Sequence, residues 1–124
     1  MAHGDAHLFT GGRVADAAGT RRADVAVVDG EIVAAGDPDA AADAVADVPD
    51  EDLERVDASG RVVAPGLIDA HVHAMMDGRP DVSTAVSDSD YTASYRAASN
   101  LEAAVEAGVT TVRDLGSRGT LALD

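Results

Sequence analysis

Between Leu67 and Val112 the chain changes its hydrophobic period twice, and that alternation restricts its fold more than any other feature. Leu67 to His73 is a short apolar run entered through a Pro65-Gly66 turn, and it reads as a strand. A polar loop rich in Asp and Ser fills positions 74–90, with Ser89 or Asp90 standing where a helix N-cap belongs. Tyr91, Tyr95, Ala98, Leu101 and Val105 then recur at helical spacing and predict one apolar face. Gly108 suits the left-handed position that ends a helix. Val109 to Val112 is β-branched throughout and reads as the next strand, closed by Arg113 and Asp114 before a loop at Gly116. Strand, loop, helix and strand in this order form a βαβ unit, which predicts parallel strands and a right-handed crossover.

The first 65 residues have a different texture of short strands and turns. Leu8-Phe9 leads into a Gly11-Gly12 turn, and Asp24 to Val28 and Glu31 to Ala35 are compact apolar runs. Between those two runs, Asp29-Gly30 is a two-residue signal for a type I′ hairpin, because both positions accept positive φ. Residues 37–52 are mostly Asp and Ala between Pro38 and Pro49, and read as a short solvated helix or loop. Leu53 to Val56 and Arg61 to Ala64 are expected to pair around the Ala58-Ser59-Gly60 turn. The texture changes at Pro65-Gly66, so the expected division is 1–65, a small β-sandwich part, and 66–124, an α/β part. A chain of this length can bury a core. With aromatics at 2%, that core must be built from Val, Leu, Ile and Ala.

Alternate side chains of a strand share a face, so Asp69, His71 and His73 project together, with Leu67 the apolar exception. Ile68, Ala70 and Val72 project the other way, where a helix layer would cover them. Imidazoles at i and i+2 stand about 7 Å apart at the backbone, from the rise per residue, and their rings can converge on one ion. The chain has no cysteine, which excludes thiolate sites and disulfides. Neutral imidazole suits a divalent metal: zinc first, with iron, manganese or nickel also compatible. The competing reading is two half-buried histidines hydrogen-bonded to the backbone. His3 and His7 lie in a polar N-terminus and are expected to be exposed rather than ligands.

A net charge of −14 opposes binding to nucleic acid or to an anionic membrane. No stretch approaches the roughly 20 apolar residues that cross a bilayer, and no signal peptide is read in Met1 to Gly12, so a cytoplasmic protein is expected. All nine basic residues are arginine, and aspartate outnumbers glutamate 18 to 5. That composition resembles proteins of salt-loving organisms. Carboxylate self-repulsion, eased by screening, predicts stability that rises with salt.

The run Val62-Val63-Ala64-Pro65-Gly66-Leu67-Ile68-Asp69-Ala70-His71-Val72-His73 resembles the entry motif of the amidohydrolase superfamily. Residues 100–116, from Asn100 through Val109-Thr110-Thr111-Val112-Arg113-Asp114-Leu115-Gly116, are similar to the first barrel helix and second strand of its imidazolonepropionase-like and prolidase-like members. The resemblance implies a small composite β-sandwich followed by the first two βα units of a (β/α)8 barrel. It implies that His71 and His73 are metal ligands. It also implies metal-dependent hydrolysis of C–N bonds other than ordinary peptide bonds, on a small amide, lactam or dipeptide-like substrate. Asp69 is expected to support the ligand histidines as a hydrogen-bond acceptor. Arg113 and Asp114 are read either as substrate contacts or as structural partners, Asp114 capping the next turn.

A (β/α)8 barrel takes roughly 250 residues, whereas 59 follow from Gly66 onward. Family members add later histidines, a late aspartate and often a carboxylated lysine. This chain has no lysine and no histidine after His73. The expectation is therefore an N-terminal portion of such an enzyme, inactive alone, with no certain catalytic residue of its own. It could assemble as a homo-oligomer or with a complementing chain. The alternative is a non-catalytic β-sandwich interaction module or a subunit of a split enzyme.

Overall fold

The computed structural model describes residues 5–81, 83 and 87–119. The chain divides into two units, Met1–Pro65 and Gly66–Asp124. In the first unit, β1 (Ala6–Thr10) lies between β4 (Asp24–Val28), antiparallel to it, and β6 (Leu53–Asp57), parallel to it. β5 (Glu31–Gly36) pairs with the free side of β4, giving a four-stranded sheet. A second sheet holds β2 (Arg13–Asp16) between β3 (Gly19–Arg22) and β7 (Val62–Val63).

Strand alternation decides which residues form each core. Ala6 and Leu8 turn to one face of the large sheet with Ala26 and Leu53, where Ala41 and Val45 close over them. Phe9, Val25 and Val27 turn to the opposite face and pack against Val14, Ala23 and Val63. The first unit is thus a small two-sheet sandwich with a helical cover on one side.

The Asp29-Gly30 hairpin forms as expected, with φ of 53° and 78° at the two positions joining β4 to β5. The Asp- and Ala-rich segment is not simply solvated. Asp37 caps α1 (Pro38–Asp43) by accepting from the Asp39 amide, and Ala41 and Val45 are buried in the core. The β6 and β7 segments do not pair with each other, because the chain passes from one sheet to the other between them. β6 joins β1 and β7 joins β2, and the Gly11-Gly12 and Ala58–Gly60 crossings run side by side. Ala58 N donates to Thr10 O and Arg13 N donates to Arg61 O there. A methyl on Gly12 would lie 2.9 Å from the Ala58 side chain, so the glycine permits this close approach.

In the second unit, β8 (Leu67–Val72) and β9 (Val109–Asp114) pair in parallel, and α2 (Asp90–Glu106) connects them. Ser89 caps α2, and Gly108 ends it at φ 88°. The buried face of α2 differs from the expected one. Ala93 and Ala97 are buried with Leu101 packed beside them, against Ala74 and Met75, while Tyr91 and Tyr95 are 82% and 80% exposed. Ala98 and Val105 are exposed as well. Likewise the helix layer expected over Ile68 and Ala70 is not supplied by the described residues: both are exposed, because α2 packs on the turn after β8 instead. Among the described residues no helix is long and apolar enough to cross a membrane.

Candidate metal centre

His71 lies on β8 and His73 follows its last residue. Their side chains converge: the two Nε2 atoms are 3.3 Å apart, and the rings meet edge to face with centroids 5.2 Å apart. Both residues are exposed. A tetrahedral ion with metal–nitrogen distances of roughly 2.0–2.1 Å holds adjacent nitrogens about 3.3 Å apart. The spacing of the two nitrogens thus matches that of two corners of one coordination sphere. No third His, Cys, Asp or Glu among the described residues completes a group of three.

The main chain at this site is held from three directions. Asp69 Oδ1 accepts from the His71 amide at 3.1 Å, so this carboxylate meets the backbone of a histidine rather than its ring. Asp114, at the end of β9, accepts from the Ala74 amide through Oδ2 at 3.0 Å, and Leu115 N donates to Val72 O at 3.0 Å. From α2, Asn100 Nδ2 donates to Ala74 O and Met76 O at 2.7 and 2.8 Å. Arg96 donates to Met75 O at 2.9 Å and forms an ion pair with Asp88. The turn after the histidines is thereby tied to β9 and to α2.

Asp114 collects further donors. Its Oδ1 accepts from the amides of Gly116 and Ser117 at 2.8 and 2.9 Å, and its Oδ2 accepts from the Ser117 hydroxyl. Partial burial works to raise its pKa, but the Ser117 hydroxyl and the Gly116, Ala74 and Ser117 amides outweigh it and hold the carboxyl below the usual range. Of the two readings open for Asp114, these bonds match the turn cap. Arg113 is exposed on β9. His7 is half-buried, with Nδ1 3.0 Å from Glu54 Oε2 in the first unit, and His3 lies outside the described residues.

The sequence assigned Asn100, Arg96 and Gly116 no part in the site. Asn100 carried one local signal, because an asparagine inside a helix competes poorly for that conformation unless its amide has other work. The contacts of the other two span 21 and 43 residues of chain, from Met75 to Arg96 and from His73 to Gly116, and had no local signature.

Residues 62–123 match the amidohydrolase family. The chain is 36% identical over 84 residues to an allantoinase of Desulfitobacterium hafniense (strain Y51), which covers 68% of this chain and 16% of that protein. It is 46% identical over 55 residues to an imidazolonepropionase of Halobacterium salinarum (strain ATCC 29341 / DSM 671 / R1), covering 44% of this chain and 12% of that protein. Its fold superposes on a prolidase solved in complex with N-methylphosphonate-L-proline with a TM-score of 0.70 and 30% identity, covering 90% of this chain and 26% of the prolidase. The chain thus spans well under a third of the length of these relatives.

Proposed function

This chain belongs to the amidohydrolase family, and from that premise we propose that it supplies the first ligand pair of a metal-dependent hydrolase acting on C–N bonds other than ordinary peptide bonds. The observation that carries the reading is the meeting of His71 and His73 through their Nε2 atoms at 3.3 Å. The parallel β8–α2–β9 order supports it, because a (β/α)8 barrel gathers its chemistry at the C-terminal ends of its strands, where these histidines lie.

His71 and His73 would hold the ion, zinc first, with iron, manganese or nickel compatible with the same donors. When bound, such an ion supplies Lewis acidity toward a substrate carbonyl and toward water. The chain's own part is to present two imidazole nitrogens to one point, on a backbone fixed by Asp69 and Asp114. Arg113, exposed on β9, is proposed as a substrate contact. The substrate class is a small amide, lactam or dipeptide-like molecule, and a cytoplasmic setting goes with it. The chain alone is proposed to lack turnover, since a hydrolytic zinc takes three protein ligands and no such group of three exists among the described residues. The other ligands belong to parts of such an enzyme that these residues do not include, and a homo-oligomer or a complementing chain is one way to bring them in.

Zinc titration followed calorimetrically tests the ligand roles. His71→Ala and His73→Ala should each weaken binding at least tenfold with the far-ultraviolet circular dichroism unchanged. Binding untouched by both substitutions would remove the reading. Hydrolysis of lactam or dipeptide substrates by the purified chain with zinc or manganese, lost on His71→Ala, would overturn the proposed inactivity. A second reading, a non-catalytic interaction module, draws on Met1–Pro65 being a unit with two core clusters of its own. A chain that takes up no divalent metal under any condition would favour it.

A further inference from the structure

The His73 ring rests against main chain of the turn that follows β9. A methyl built on Gly116 would lie 2.4 Å from His73 Nδ1 and 2.8 Å from Cε1, far inside van der Waals contact. The ring edge carrying Nδ1 therefore lies over the bare glycine, and the opposite nitrogen, Nε2, is the one that meets His71. Gly116 is not among the glycines with positive φ, so its backbone is one that alanine also adopts. The glycine is needed here for the space above it, not for its conformation.

Asp114 places that glycine. Its carboxylate draws the Gly116 and Ser117 amides into a tight turn through Oδ1, while Oδ2 holds the Ala74 amide next to His73. One side chain thus fixes both the backbone that carries the His73 ring and the surface on which the ring lies. Asn100 holds the Ala74–Met76 turn after His73 from α2, donating to the Ala74 and Met76 carbonyls.

We propose that Asp114 and Gly116 are positioning residues that set the His73 imidazole for metal ligation, Asp114 by fixing the two backbones and Gly116 by leaving room for the ring. The proposal deepens the ligand reading of His71 and His73 and rests on it for its metal-binding consequence. Losing support of this kind around a ligand histidine typically weakens metal binding by about 10–100-fold.

The test uses the full chain with zinc as the only probe, and compares Gly116→Ala, Asp114→Asn and His73→Ala with the wild type. Imidazole nitrogen resonances of the metal-free chain report ring placement, and calorimetric titration reports zinc affinity. In Gly116→Ala the His73 resonances should move while far-ultraviolet circular dichroism stays unchanged, and zinc affinity should fall at least tenfold. Asp114→Asn, nearly isosteric, puts an amide donor where N–H groups now donate, and should move the same resonances and weaken zinc in the same direction. If His73→Ala weakens zinc and the two other variants bind like the wild type with unmoved resonances, the positioning proposal is wrong while the ligand reading stands. If His73→Ala binds like the wild type, the ligand reading fails; the metal-free resonances of Gly116→Ala and Asp114→Asn then still decide whether these residues place the ring.

Discussion

A second glycine shows how much a single missing side chain decides in this fold. A methyl on Gly66 would lie 2.0 Å from Thr110 Oγ1 and 2.7 Å from Thr110 Cβ, across the pairing that begins β8 against β9. Leu67 N donates to Gly108 O at 2.8 Å beside it, so neither backbone is free to withdraw. Gly66→Ala should therefore destabilise the second unit by about 1–3 kcal/mol, the usual cost of forcing extra atoms into a packed contact. Thr110→Ala in the same chain removes the two nearest atoms and should restore part of that loss. Urea unfolding of the single and double variants measures both effects, and a Gly66→Ala chain as stable as wild type would contradict the contact. Pro65-Gly66 was legible as a boundary because turn chemistry is local. That the glycine faces Thr110, 44 positions away, was not, since no local rule carries a cross-strand contact. The same limit explains why His71 and His73 were readable as a pair, being two residues apart, while Gly116 was not readable as their neighbour.

At the scale of elements, helix α2 shows what periodicity can and cannot decide. Two stripes with helical spacing share Leu101: one through Tyr91, Tyr95, Ala98 and Val105, the other through Ala93 and Ala97. Reading by side-chain size selects the tyrosines, yet the alanines are buried, at 0% and 2% exposure. Small residues let the helix backbone approach the Ala74–Met75 turn closely enough for Arg96 and Asn100 to reach its carbonyls. The polar contacts and the alanine stripe thus require each other. Ala97→Leu should then cost about 1–3 kcal/mol through overpacking, whereas Tyr95→Ser should change stability by no more than about 0.5 kcal/mol, as exposed substitutions do. Thermal melts of the two variants check this, and the reverse ranking would return the buried face to the tyrosines. In the first unit the Asp29-Gly30 hairpin was legible for a local reason. The division of β6 and β7 between two sheets was not, because it depends on parallel pairing with β1 and β2, 47 and 49 residues earlier.

Over the whole molecule, two opposing electrostatic effects set the response to pH and salt. The net charge of −14 makes carboxylates repel one another at neutral pH, and protonating some of them, or adding salt, relieves that repulsion. Individual aspartates act in the opposite sense. Asp57 is held below the usual range mainly by hydrogen bonds from the Ser59 side chain and amide, and Asp81 in the same way by Ser83. Asp16 is lowered first by its hydrogen bond from Arg21 and then by the Ala18 amide. A carboxyl whose folded pKa is depressed adds stability above its unfolded pKa, and that stability is lost as pH falls through the folded value. The unfolded value for aspartate is about 3.9, so this loss belongs below about pH 4. Near neutral pH the repulsion is at full strength, so stability there should rise from low salt to molar potassium chloride, which screens it. Below about pH 4 stability should collapse at both salt concentrations, because short hydrogen-bonded contacts are screened far less. Urea unfolding across pH at the two salt concentrations measures both effects. A profile identical at low and molar salt would mean that the repulsion is not felt, and with it would go the salt-adapted reading of the aspartate-rich, lysine-free composition.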